Sequence, residues 1–256
     1  MPYEKLKRFF SENPSAILGF SGGVDSTFLL SAGLRCGADV KPYFVKTAFQ
    51  PAFELADAER ACALLNVKLN IIPLDVLSSE AVVSNPPERC YHCKRVIFSA
   101  LREIADAESR VLLDGNNASD DFDDRPGMRA VLELNSRSPL RECGLTKDEI
   151  RRLSKEAGLF TWDKPAYSCL ATRIAHGLRI TEQSLRNVEE AENALFSLGF
   201  SNFRVRLTAD GAARIQCLPG QINEMITKRE DIIKKLSPLF SAVTLDLKPR
   251  LQISNP

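Results

Sequence analysis

Leu18-Gly19-Phe20-Ser21-Gly22-Gly23-Val24-Asp25-Ser26-Thr27 follows a short apolar run and leads straight into Phe28-Leu29-Leu30. That order predicts a strand ending in a glycine turn that opens a helix. A helix start presents N–H groups without intrahelical partners, together with the positive end of a dipole, and so suits an anion. Ser21, Ser26 and Thr27 add hydroxyls, and Gly22 and Gly23 allow a phosphate to approach the main chain. A Walker A loop would end in Gly-Lys-Ser/Thr, and a dinucleotide turn would read Gly-x-Gly-x-x-Gly. Neither is present. The plain alternative is an ordinary strand–turn–helix corner.

Outward from this loop, Ala16–Phe20, Val40–Lys46, Leu69–Leu74 and Val111–Asp114 are short runs rich in Ile, Val, Leu and Phe. Helical patterns fill 25–36, 52–66 and 93–107; in the second, Leu55, Ala58, Cys62 and Leu65 share one face. Alternating strands and helices predict an α/β fold, a parallel sheet with helices on both faces, whose ligands sit beyond the carboxyl ends of the strands. Both the serine–glycine loop and Asp114-Gly115-Asn116-Asn117 fall at such ends. Polar connections are expected at 115–130 and 135–143. Thr146 and Glu149 form a capping box for a helix to about Ala157, which Gly158 closes. Beyond about 176 the order becomes helix (181–198), strand, strand, helix (220–237), strand, a small α+β domain. The expected division is 1–175 and 176–256, with the joint in Ala166–Leu178.

The 256 residues are 44% hydrophobic and 26% charged, with a net charge of +1, enough for a full core and without a broad basic field for nucleic acid. Met1-Pro2-Tyr3-Glu4-Lys5 lacks a signal-peptide pattern, and no apolar stretch is long enough to span a bilayer. Seven cysteines, an odd number, fit a reducing compartment. A cytoplasmic enzyme, with neither membrane nor nucleic-acid partner, is the expectation.

Cys90-Tyr91-His92-Cys93 follows Asn85-Pro86-Pro87 and leads into a helical pattern. Two cysteines three apart can converge on a metal or cluster, and Arg89, Lys94 and Arg95 place positive charge beside them. A redox dithiol, half of a zinc site and chance helix cysteines remain open. Cys169 lies in Lys164-Pro165-Ala166-Tyr167-Ser168-Cys169-Leu170-Ala171-Thr172-Arg173, a segment too irregular for plain core. By itself it reads equally as packing or as reactive thiol. Cys36, Cys62 and Cys217 sit in regular apolar patterns and read as packing; Cys143 receives no assignment. His92 and His176, the two histidines, read as hydrogen-bonding neighbours rather than ligands.

Ser21-Gly22-Gly23-Val24-Asp25-Ser26 resembles the signature of the PP-loop ATP pyrophosphatases. The resemblance extends along nearly the whole chain to the LarE-type sulfur transferases. It runs through Asp114-Gly115 with Asn117, Asp120 with Asp123-Asp124-Arg125-Pro126-Gly127, Ser138-Pro139-Leu140, Gly144–Arg151, Lys164–Arg173 and Arg204-Val205-Arg206. It implies an enzyme of nickel-pincer nucleotide cofactor synthesis. ATP adenylylates a carboxylate of pyridinium biscarboxylic acid mononucleotide, pyrophosphate leaves, and sulfur then displaces AMP to give a thiocarboxylate. Adenylylation is chemically required, because a free carboxylate repels an anionic sulfur nucleophile and lacks a leaving group.

The resemblance further implies an ATP site at Gly19, Ser21–Ser26 (Val24 included), Thr47, Gly115 and Asn117, with Mg²⁺ on Asp25. It implies catalytic roles for Asp25, Lys164, Cys169 and Arg173, and a substrate-phosphate fork at Arg204 and Arg206. In one branch of the family the cysteine at position 169 gives up its own sulfur. In another, three cysteines hold a 4Fe–4S cluster whose open iron carries sulfide from a donor. The pair Cys90 and Cys93 with Cys169 matches the second branch; zinc on these residues is the alternative. A homo-oligomer is implied. Gln216 departs from the glutamate that similar proteins tend to carry there, which puts a metal in the C-terminal domain in doubt, Glu192 being a partial substitute. Rival readings are a PP-loop tRNA thiolase, which usually has Lys at the place of Val24, a pyrophosphate-releasing synthetase, and a non-catalytic nucleotide-binding iron–sulfur protein.

Overall fold

A computed structural model describes residues 1–120, 126–248 and 250. Along the chain come α1 (Pro2–Glu12), β1 (Ser15–Gly19), α2 (Val24–Arg35), β2 (Asp39–Lys46), α3 (Ala52–Leu64) and β3 (Asn70–Pro73). They are followed by α4 (Glu80–Val83), α5 (Arg89–Ala107), β4 (Val111–Leu113), α6 (Pro126–Glu133), α7 (Pro139–Glu142) and α8 (Lys147–Glu156). The last elements are α9 (Glu182–Ser197), β5 (Arg204–Leu207), β6 (Ala213–Gln216), α10 (Ile222–Thr227), α11 (Arg229–Leu236) and β7 (Val243–Leu245).

Two compact units result. The first comprises Met1–Val76 and Glu88–Ala166; the second comprises Leu77–Pro87 and the described residues from Tyr167 onward. The first is the expected α/β fold: four parallel strands in the order β3-β2-β1-β4. Strand pleating sends alternate residues to opposite faces. Ala16 and Leu18 of β1 enter one core with residues of α1, α2, α3 and α8, whereas Ile17 packs with Val45, Leu112 and Leu101 and Ala105 of α5. Helices therefore cover both faces; the inner strand β1 is buried as parallel sheets require, while the edge strand β3 leaves Ile71 exposed.

In the second unit β5 pairs antiparallel with β6 and β6 parallel with β7, with α9 packed on β5. Its core holds Leu185, Val188, Leu195, Phe203, Val205, Ile215 and Leu236. The segment Leu77–Pro87 is tied in by buried Asn85, whose amide donates to the carbonyls of Ala175 (2.8 Å) and Leu178 (3.1 Å). Gly177 N donates back to Asn85 O, and Ile180 N to Val83 O.

Two expected loops contain helix. Pro126 opens α6 inside the expected 115–130 connection, and Pro139 opens α7 inside 135–143. Proline at the first helical position has no N–H to lose, so Pro-Gly and Ser-Pro pairs mark starts here rather than turns. The single helix expected at 220–237 divides at Lys228, which lies between α10 and α11. The capping box of Thr146 and Glu149 is present as expected, and Gly158 follows at φ +72.

Candidate active site

β1 ends at Gly19 and α2 begins at Val24, so the intervening turn lies at the carboxyl edge of the sheet. Gly22 holds φ +67, and a Cβ there would stand 2.8 Å from the backbone of Ala58, which only glycine tolerates. The hydroxyls of Ser21 and Ser26 face each other at 3.1 Å, and Ser21 Oγ accepts a long bond (3.4 Å) from Gly23 N. The first amides of α2 have no carbonyl a turn back to bond within the helix. Gly115 closes in from the end of β4; a Cβ on it would lie 3.2 Å from Ser26 N.

Beside this loop opens a cleft of about 330 Å³. Gly19, Ser21, Asp25, Ser26, Asp114 and Gly115 form its polar side, and Val45, Gln50, Ile97, Phe98 and Leu101 line the rest. Lys94 reaches it as well. Volume and mixed lining suit a nucleotide-sized ligand. Asp114 is buried and receives the Ser136 and Ser138 hydroxyls and the Asn116 amide. Burial pushes its carboxyl above the ordinary value, against the pull of those hydrogen bonds and of the Lys94 charge.

The expected ATP-site residues thus gather in the first unit, with two qualifications. Val24 is buried in the core, so only its backbone faces the loop's chemistry. Thr47 is buried and bonded through Oγ1 to Gln50 (2.7 Å), and it is Gln50 that lines the cleft. Asp25 is held by Lys147 Nζ at 2.5 Å and by the Asn117 amide at 3.3 Å. Lys147 was not singled out from the sequence; its signal is its place directly after the Thr146 cap, at the first turn of α8. Lys164 contacts the loop itself, with Nζ 3.3 Å from Gly22 O and 2.6 Å from Asp57.

The thiols divide by surroundings. Cys90 and Cys93 lie one turn apart at the start of α5, inside the helix rather than ahead of it, with Cys90 exposed and Cys93 half-buried. Arg89 Nη2 stands 3.6 Å from Cys90 Sγ. Their helix continues into Lys94, Ile97, Phe98 and Leu101 of the cleft. Cys62 and Cys143 belong to the main core, Cys217 is buried in the second unit, and Cys36 packs against the core. Burial raises all four thiols, Cys62 to about 12. Cys143, unassigned by sequence, is a packing residue. His92 stacks edge-on against Tyr91, and His176 is exposed.

Cys169 belongs to the second unit and is half-buried. Its carbonyl accepts from Thr172 Oγ1 (2.8 Å) and Arg173 Nη1 (3.3 Å). The Arg173 side chain is wholly enclosed and pairs through two nitrogens with Glu192, which is 2% exposed. Glu192 also accepts from Tyr167 Oη (2.6 Å) and Val205 N (3.1 Å). Lys164 and Arg173, which the sequence sets on either side of Cys169, therefore serve different units.

Arg204 is buried over the Tyr167 ring and donates to Phe203 O (2.8 Å). Arg206 is half-buried, bonded to Gln216 and to Thr172 O. These arginines do not form an exposed charged face. Burial and neighbouring arginines lower both guanidiniums, Arg204 to about 10. Gln216 bridges Arg206 and Asp246 as a neutral amide. Neither unit by itself gathers three His, Cys, Asp or Glu side chains into a metal-holding group among the described residues. Asp121, Asp123, Asp124 and Arg125 lie outside the described residues; Asp120 accepts from Asn117 N (2.8 Å) and shapes the turn after β4. Among the described residues no helix is long and apolar enough to cross a membrane.

A parallel α/β sheet with the Ser21–Ser26 loop at its carboxyl edge is compatible with a PP-loop-like fold. Three relatives are informative. An uncharacterized protein of Synechocystis sp. is 34% identical, the match covering 96% of this chain and 93% of that protein. The pyridinium-3,5-bisthiocarboxylic acid mononucleotide synthase of Lactiplantibacillus plantarum is 33% identical over 90% of this chain and 84% of its own. An uncharacterized protein of Methanocaldococcus jannaschii is 32% identical over 95% of each. No protein-family model matches the chain. The chain belongs to the LarE family, that of pyridinium-3,5-bisthiocarboxylic acid mononucleotide synthase.

Proposed function

We propose that this protein is an ATP-dependent sulfur transferase that converts a carboxylate of pyridinium biscarboxylic acid mononucleotide to a thiocarboxylate, in nickel-pincer nucleotide synthesis. One observation carries the reading beyond family membership. A single helix, α5, bears the Cys90–Cys93 pair at its start and forms a wall of the cleft that the Ser21–Ser26 loop closes. A sulfur-bearing pair beside a nucleotide-sized cleft is what thiolation of an adenylylated acid needs. A tRNA thiolase could use the same arrangement, but the mononucleotide product for which the relative is named and the chain's near-neutral charge favour the small nucleotide.

In the first step a substrate carboxylate oxygen attacks the α-phosphorus of ATP, and pyrophosphate leaves. The amides at 21–26 and the serine hydroxyls receive its charge; one oriented donor is typically worth about 3 kcal/mol in such a barrier. Asp25 would hold Mg²⁺, which neutralises polyphosphate charge; a single carboxylate suffices, because Mg²⁺ keeps waters and takes phosphate oxygens. Lys147 and Lys164 keep this edge near neutral through Asp25 and Asp57. In the second step sulfide attacks the acyl carbon and AMP leaves.

Cys90, Cys93 and Cys169 would hold a 4Fe–4S cluster, which supplies sulfide on the iron that three thiolates leave open. The donor set fits in kind: the pair is one helical turn apart and none of the three is buried. Arg173 acts as a positioning residue that fixes the backbone of Cys169, while Arg204 and Arg206 bind the substrate's phosphate. The protein works in the cytoplasm, as a homo-oligomer supplied by a sulfide donor.

Anaerobic purification with iron and sulfide analysis tests the sulfur source; AMP and pyrophosphate formation with and without the pyridinium acceptor tests the reaction. Acceptor-dependent pyrophosphate and labile sulfide are expected. Pyrophosphate formation indifferent to the acceptor overturns the function, and loss of H₂S from Cys169 with no iron bound overturns the cluster.

A further inference from the structure

β2 ends at Lys46, and the chain turns before α3 begins at Ala52. Hydrogen bonds fix that turn. Phe49 N donates to Thr47 Oγ1 (3.1 Å), so the hydroxyl's own hydrogen goes to Gln50 Oε1 (2.7 Å). Thr47 N donates to the same oxygen (2.8 Å), and Lys46 Nζ holds the Gln50 carbonyl (2.9 Å). The buried Phe49 ring anchors the turn from within.

Which end of the Gln50 amide is which follows from chemistry. A backbone N–H only donates, so the side-chain atom facing Thr47 N is the carbonyl oxygen. With two donors on it, Oε1 has both lone pairs in use. Turning the amide over would set its NH₂ against the Thr47 N–H. The group Gln50 has left to offer a ligand is therefore Nε2, a donor, which hydrogen-bonds nothing among the described residues. Gln50 lines the cleft on the side away from the serine–glycine loop, where Val45, Ile97, Phe98 and Leu101 supply apolar surface. A purine, flat and largely apolar, belongs against this wall when its phosphates lie on the loop. An unfixed glutamine reads adenine by giving one hydrogen bond and taking another. Gln50 can only give. Adenine N1 is an acceptor, whereas N1 of a 6-oxopurine carries a hydrogen.

We propose that Gln50 is a specificity-determining residue of the nucleotide cleft: its Nε2 donates to N1 of adenine and opposes the N1–H of a 6-oxopurine. Thr47 is then a positioning residue, which acts through the Gln50 amide. The proposal rests on the reading of this cleft as the ATP site. Selectivity arises because the wrong base leaves two donors facing each other, each without an acceptor.

Calorimetric titration of the full chain with the magnesium complexes of ATP, ITP and 7-deaza-ATP tests this. ITP keeps the ribose and triphosphate of ATP and differs only at N1 and C6. Wild type is expected to bind ATP about 30-fold more tightly than ITP, and 7-deaza-ATP as well as ATP. Gln50→Met, which keeps the length and loses the donor, should bring ATP and ITP within about 3-fold of each other. Gln50→Glu keeps one oxygen for Thr47, offers the ligand an acceptor and should invert the preference toward ITP. Its added charge repels both triphosphates alike, so the ratio isolates the reading of the base. If both variants keep the wild-type ratio, Gln50 does not read the base, and the ATP site stands without it. A 7-deaza-ATP as weak as ITP moves the bond to N7 and overturns the assignment to N1. A wild type that binds none of the three overturns the ATP reading itself, and the role of Gln50 with it.

Discussion

The two charged regions of this molecule are built on opposite plans. At the edge of the parallel sheet, two cations meet carboxylates in a partly open setting: Lys147 with Asp25, and Lys164 with Asp57. The loop between them offers mainly backbone and weakly held hydroxyls, with contacts of 3.1–3.4 Å. In the second unit, Arg173, Arg204, Arg206 and Arg250 crowd around one buried carboxylate, Glu192. A balanced, loosely bonded edge suits a ligand that brings its own cation, as a magnesium–polyphosphate does. Guanidiniums gathered about one buried carboxylate suit an anion arriving alone. On the function proposed above, activation falls to the first plan and substrate anchoring to the second.

The comparison breaks most sharply at Glu192. Its removal leaves the Arg173 guanidinium buried and uncompensated, a change that typically costs about 3–5 kcal/mol. Glu192→Ala should therefore unfold at markedly lower urea than wild type, and Glu192→Gln, which keeps hydrogen bonds to Tyr167 and Val205, should fall between. The Cys169 turn depends on Arg173 for its backbone, so thiolation should fail in E192A while acceptor-independent ATP binding at the first unit survives. A urea midpoint equal to wild type would mean that the pair is not the keystone of the second unit.

At the sheet edge the expectation inverts. Asp25 and Lys147 keep 23% and 11% of their side chains exposed, so breaking their pair costs less than breaking a fully enclosed one such as Arg173 and Glu192. Asp25→Asn and Lys147→Met should melt near the wild-type temperature yet lower acceptor-dependent pyrophosphate release about 100-fold. That is roughly what loss of one charge-stabilising contact in a barrier costs. Release that persisted at the wild-type rate in both variants would show that the paired charges take no part in activation.

This contrast explains what the sequence disclosed and what it hid. The Ser21–Ser26 loop was legible because everything that makes it lies within ten residues: strand end, glycine with positive φ, hydroxyls, helix start. The Thr146–Glu149 capping box was legible for the same reason. Lys147 on Asp25 spans 122 positions, and only the fold brings them together. Arg173 was placed near Cys169 correctly along the chain, but spacing does not say which way a long side chain points, and it turns inward to Glu192. Arg204 and Arg206 alternate along β5, but their burial depends on residues far along the chain, such as Tyr167 under the Arg204 guanidinium. The break at Lys228 was hidden too, since an apolar period continues across it while its ammonium turns to Leu198 O.

The same division of roles applies to sulfur, and there the expected effect on the fold is smallest. Cys62 is buried in the main core and its thiol is raised to about 12 by burial, whereas Cys90 is exposed at the start of α5. The thiolate is the reacting form, and at pH 8 a thiol with that value is ionised in about one molecule in 10⁴. Raising the pH to 10 increases that share about 100-fold and still leaves it near 1%. Iodoacetamide on the native, metal-free protein at pH 8 should therefore alkylate Cys90 while sparing Cys62, without shifting the melting temperature. Urea should release Cys62, Cys143 and Cys217 together, since unfolding removes the burial that protonates them. Equal labelling of Cys62 and Cys90 in the native state would show that burial does not separate the packing thiols from those offered for chemistry.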